Sequence, residues 1–150
     1  MNFTTRVDYS KTPDEMLRDS NLYIDSVFRL PGGLFWAGKS YCSEEQPTGV
    51  HDIRCELMYA EGFMSIKEMN GVLKSKSFRR ANTEELIACI AALPTKVDKY
   101  IIGTGGETWW CSFPADHPVV PMVCGKAFSI HPSQWEYKDC YFLGVKEISP

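Results

Sequence analysis

The 150-residue chain has no run of 18 apolar residues, so nothing in it reads as a helix that crosses a membrane. It lacks a charge excess as well. Sixteen basic residues against 19 acidic ones leave a net charge of −3, which announces neither a nucleic-acid groove nor a polyanion mimic, and nucleic acid is not expected as a partner. None of the six cysteines forms a C-x-x-C pair with another or is followed by H-x-x-x-H. No metal and no cofactor is therefore expected. There is no internal repeat and no low-complexity linker. The opening MNFTTRVDYSKTPDEM has no basic start followed by an apolar run, so no secretory signal is read there. The expectation is a cytoplasmic protein with reduced thiols.

What the chain does hold is ordinary material for one globular domain. Hydrophobic residues make up 44% and charged residues 23%, enough for a core without staples. Aromatics are plentiful at 13%, with four Trp, seven Tyr and eight Phe. Such side chains fill a core, a ligand pocket or a surface that grips a partner protein.

Read along its length, the chain predicts a single α+β domain over 1–150. The first ten residues are polar and read as loose. Thr12-Pro13-Asp14-Glu15 is a helix start, with Thr as N-cap, Pro at the first helical position and acids in the first turn, so a short helix is expected over about 13–19. Either that helix continues or a strand follows over 22–30, before Pro31-Gly32-Gly33. Residues 50–79 read as a three-stranded antiparallel meander: VHDIRCELMYA, then FMSIKEM after Glu61-Gly62, then VLKSKSF after the hairpin pair Asn70-Gly71. Asn82 and Glu85 make a capping box for a main helix over about 83–93, stopped by Pro94. KYIIG and TWWCSF read as strands, FPADHPVVP as a loop, and VCGKAFSI and YKDCYFLGVKEI as two last strands. Both helices are expected on one face of the sheet.

One stretch matches a catalytic pattern letter for letter. GLFWAGKS, residues 33–40, fits the phosphate loop G-x-x-x-x-G-K-[ST]. Such a loop wraps its backbone N–H groups around phosphates at the start of a real helix. Here Leu34, Phe35 and Trp36 crowd the wrap, and Pro47 arrives seven residues after Ser40, which limits any helix to about two turns. A second strand ending in Asp for Mg²⁺ is also missing. We therefore read 33–40 as a strand that presents Trp36 and Lys39, not as a nucleotide-hydrolysing site.

The remaining candidates are weaker signals. Gly103-Thr104-Gly105-Gly106 follows a strand and suits either a hairpin loop or a backbone nest for an anion, with Glu107 beside it as a general base. Trp109 and Trp110 must face opposite ways on a strand, so one is available to stack on a base or anchor a partner. KSKSFRR is the one local basic cluster, and Arg79 and Arg80 close it. These residues support an accessory binding protein of the inhibitor, immunity or ligand-sequestering kind, whose target is a partner protein or a small anionic ligand. The alternative is a small enzyme on a nucleotide-like anionic substrate, with Gly105 and Gly106 holding the anion and Glu107 moving the proton. Sheet edges and exposed aromatics also point to a homo-oligomer.

Overall fold

The computed structural model describes residues 1–24, 47–93, 97–103, 109–111, 117–132 and 136–148. The domain is α+β, built on a mostly antiparallel nine-stranded sheet. In chain order the elements are β1 (Asn2–Asp8), α1 (Pro13–Asp19), β2 (Tyr23–Ile24), β3 (Val50–Tyr59), β4 (Met64–Ser65), α2 (Ile66–Ser75), β5 (Arg79–Arg80) and α3 (Thr83–Ala92). They continue with β6 (Ile101–Gly103), β7 (Trp109–Cys111), β8 (His117–Cys124), β9 (Ala127–Pro132), β10 (Glu136–Tyr137) and β11 (Tyr141–Glu147). The main sheet runs β1-β3-β11-β6-β8-β9-β2, and β4 pairs with β10 in a separate ribbon. β11 and β6 run parallel, as do β2 and β9. Two strands are shared in halves. β11 gives Tyr141–Leu143 to β6 and then Gly144 and Val145 to β5. β8 gives His117–Val119 to β7 and Met122 and Val123 to β6.

Alternation divides the core in two. On β3, Ile53, Cys55 and Leu57 face one side, with Val7, Leu143 and Val145 from the neighbouring strands. α1 and α3 cover that side through Met16, Leu17, Leu86 and Ile87. Met58 and Phe142 face the other side, where α2 brings Ile66, Met69 and Leu73. Helices thus lie on both faces of the sheet, not on one.

The meander expected over 50–79 is corrected accordingly. Only its first strand exists as read. The stretch taken for a second strand and a hairpin is mostly α2. Its start is a capping box: the Ser65 hydroxyl accepts from the Glu68 amide at 3.2 Å, and the Glu68 carboxylate accepts from the Ser65 amide at 3.3 Å. Ile66, Met69 and Leu73 recur at helical spacing, and this stripe overrides the turn preference of Asn70-Gly71. The helix ends in a Schellman motif with Ser77 in the left-handed region at φ 62°, where the Phe78 amide donates to the Leu73 carbonyl. KSKSFRR is therefore a helix end and a short strand.

Three further expectations change. The first ten residues are not loose, because Phe3, Thr5 and Val7 alternate inward along β1. HPVVP belongs to β8, and VCGKAFSI is a hairpin around Gly125 (φ 61°). Pro121 is tolerated because it falls between the stretch that pairs with β7 and the stretch that pairs with β6. Finally, Cys55 and Cys89 form a disulfide that joins β3 to α3 across the first core half, so not all thiols are reduced. Cys124 and Cys140 are free. Among the described residues no helix is long and apolar enough to cross a membrane.

Candidate binding surface

β3 ends where β11 and β6 begin, and this meeting gathers aromatic side chains from distant parts of the chain. Tyr141 lies opposite Tyr59 on one flank and Ile101 on the other, and its amide donates to the Tyr100 carbonyl at 2.8 Å. The Tyr59 and Tyr141 rings meet edge to face at 5.3 Å. The Tyr59 hydroxyl donates to Asp139 at 3.0 Å and accepts from the Lys99 ammonium at 3.3 Å. That ammonium sits 5.1 Å from the Tyr59 ring centroid. The Tyr59 hydroxyl, and then the nearby carboxylates of Asp139 and Asp98, raise the Lys99 pKa above its ordinary value, so it carries its charge here. Asp139 itself takes a left-handed backbone (φ 55°), which aims Lys138 and Cys140 differently. The Lys138 ammonium lies 5.4 Å from the Phe63 ring centroid, and the Cys140 carbonyl accepts from the Ala60 amide at 2.9 Å.

These contacts form two aromatic groups near the end of β3, Tyr59 with Tyr141, Lys99 and Asp139, and Phe63 with Lys138. Phe63 is 65% exposed, Tyr100 47% and Tyr59 41%. Beside them, between α2 and β3, runs an open groove of about 390 Å³. Tyr59 borders it, Met58, Met64 and Val72 line it, and Glu61 and Lys76 are at its rim.

Of the residues singled out in the sequence, Arg79 and Arg80 are described with their side chains. Arg79, on β5, gives both terminal nitrogens to Glu85 at 2.9 and 2.7 Å and lies 3.8 Å from Glu147. Glu85 is fully buried and also accepts from the Tyr9 hydroxyl at 2.6 Å and the Asn82 amide at 2.9 Å. Burial and then the Glu85 charge push the Tyr9 hydroxyl far above its ordinary pKa, so it stays a donor. Arg79 thus anchors α3 to the sheet. Arg80 is half-buried opposite Gly144. Trp109 and Trp110 stand on β7 in register with Val119 and Pro118. Trp36, Lys39, Gly105, Gly106 and Glu107 lie outside the described residues, as does the whole of 33–40. Neither Arg79, bonded to Glu85, nor Arg80, in register with Gly144, is among the contacts described above for Tyr59, Phe63 and Tyr100. Reasoning from sequence missed Tyr59, Phe63, Lys99, Tyr100 and Lys138. The available signal was an aromatic residue beside Lys at strand ends, as at Lys99-Tyr100 and Lys138 near Tyr141.

Among the described residues no three His, Cys, Asp or Glu side chains cluster to hold a metal. Comparison with protein-family models, with curated proteins and with solved structures finds no match.

Proposed function

We propose that this chain is an accessory binding protein that docks a partner protein through the Tyr59–Phe63–Tyr100 surface. The observation that carries the reading is concentration. Three of the exposed large apolar side chains are aromatic residues near the ends of β3 and β6: Tyr59 is held by Lys99 and Asp139, Phe63 lies under Lys138, and Tyr100 follows Lys99 in the chain. Tyrosine is suited to such work because it offers wide contact area with few torsions to freeze and a polar tip for the rim. Lys138, over the Phe63 ring, favours a carboxylate set among apolar groups on the partner face, while Lys99 is offset by Asp139 and Asp98. The role fits an inhibitor or immunity protein, which acts by occupying its target. The enzyme alternative depends on Gly105, Gly106 and Glu107, and no described observation favours it.

Site-specific photocross-linking tests the reading. A benzophenone side chain at Phe63 should capture one partner from cells, whereas the same group at Tyr23, 56% exposed on β2, should not. Equal capture at both positions, or capture only at Tyr23, would rule out this surface.

A further inference from the structure

β1 ends the strand order, so among the described residues no strand pairs with its outer edge. The hydrogen-bond parity of that edge can be worked out. Met1 and Leu57 exchange both backbone bonds at 2.9 and 3.3 Å, and eight residues on the Tyr9 amide donates to the Gly49 carbonyl at 2.8 Å. Odd-numbered residues of β1 therefore turn their N–H and C=O groups to β3. Even-numbered ones, Asn2, Thr4, Arg6 and Asp8, turn theirs outward. The Asp8 carbonyl is taken by the Lys11 amide at 3.2 Å, which leaves the outward groups of Thr4 and Arg6 at the centre of the edge.

Edge strands are normally blunted by Lys, Pro, a bulge or brevity. β1 has none of these: it is seven residues long, in unbroken register with β3, and reads Asn-Phe-Thr-Thr-Arg-Val-Asp. Its one cation is neutralised within the subunit, because Arg6 pairs with Asp52 at 2.8 Å.

We infer that β1 is a homodimer interface, where two copies of the chain join edge to edge around a twofold axis through Thr5 and continue one sheet across both subunits. Self-pairing selects this register. With Thr5 opposite Thr5 of the second copy, the whole of β1 is matched. Thr4 faces Arg6 in both directions, and these outward-pointing pairs each exchange both of their backbone bonds. Phe3 stands opposite Val7, whose side chain is already buried in its own subunit, so the pairing rests on the backbone ladder. No like charges oppose one another. A shift by one step of the same parity, to an axis through Arg6, would set the two Arg6 side chains face to face and shorten the ladder. The antiparallel arrangement sends the two tyrosine surfaces to opposite ends of the joined sheet, so the dimer is bivalent and neither surface is covered by it.

Proline at an even position separates this edge from the fold, because it deletes an outward N–H and spares the β3 ladder. The wild-type chain should sediment as a dimer that dissociates on dilution, and Thr4→Pro should sediment as a monomer with an unchanged circular dichroism spectrum. A second variant covers a Thr4→Pro chain that fails to fold. Thr5 occupies a non-hydrogen-bonded pair across the axis, where Cα atoms stand about 4.5 Å apart, close enough for a disulfide. Thr5→Cys should then give a covalent dimer on mild oxidation, linked between the two substituted positions in peptide mass spectra, and Thr4→Cys should not. A wild-type chain that is monomeric at hundreds of micromolar, a dimer that survives in folded Thr4→Pro, or equal cross-linking at positions 4 and 5 overturns the inference.

Discussion

Substituting Glu85 by Gln tests the internal logic of the fold with a single atom exchange. The carboxylate is fully buried, and four donors fill its acceptor sites: two Arg79 nitrogens, the Tyr9 hydroxyl and the Asn82 amide. Gln keeps the shape and replaces one oxygen by an NH₂ group. Wherever that group points, it meets an Arg79 donor. If it takes the place of the oxygen near Tyr9, the tyrosine hydroxyl can rotate to accept, and the conflict is limited to one guanidinium N–H. Breaking a buried charged pair costs about 3–5 kcal/mol when the surviving charge is stranded. Arg79 is not stranded, because its side chain is 37% exposed and Glu147 lies 3.8 Å away. The expected loss is therefore smaller, about 2–3 kcal/mol, made up of weakened charge-assisted bonds. For a chain of this size that lowers Tm by about 4–12 °C. Thermal unfolding followed by circular dichroism reads it directly. A change below about 2 °C would show that the Arg79–Glu85–Tyr9 cluster does not lock α3 onto the sheet.

Other consequences are as specific. A methyl group at Gly144 would approach the Leu73 Cδ2 to 2.5 Å and the Phe78 Cβ to 3.0 Å, so Gly144→Ala should destabilise by about 1–3 kcal/mol in urea unfolding. The Cys55–Cys89 disulfide spans 34 residues of sequence, and its reduction should lower stability by about 2–4 kcal/mol, seen as a lower Tm in dithiothreitol that Cys89→Ala no longer shows. Asp52 is held below its ordinary pKa of 3.8 by its hydrogen bond from Arg6, and Asp8 by its bonds from Ser10. A depressed folded pKa stabilises above the unfolded value and loses that effect as pH falls through the folded one, so stability should decline below about pH 3.8 and Asp52→Asn should flatten the decline.

How far the chain can be read depends on how local each signal is. The caps are local: Thr12 with Glu15 and Asn82 with Glu85 each lie within four residues, and the same grammar stands at Ser65 and Glu68. There it was outweighed by Asn70-Gly71, a pair that favours a turn only where no apolar stripe crosses it, and Ile66, Met69 and Leu73 do cross it. β1 was hidden because one of its three inward residues, Thr5, is polar and the run is only seven residues long. The tyrosine surface is wholly non-local. Tyr59, Tyr100 and Asp139 become neighbours only through the register of β3, β11 and β6, including a parallel pair whose partners lie 40 residues apart in the chain, such as Ile101 and Tyr141. Arg79 reads in the sequence as a cation for a ligand, but the short β5–α3 connection gives it to the buried carboxylate of Glu85, six residues on.

If the protein works by binding through exposed tyrosines, a double substitution removes its grip. Tyr59→Ala/Tyr100→Ala removes two exposed rings. The affinity for the partner captured at Phe63, measured by calorimetry, should fall several-hundred-fold, because two anchoring tyrosines at about 2 kcal/mol each remove about 4 kcal/mol. An affinity within about twofold of wild type, in a variant that remains folded, would show that these rings do not carry the binding.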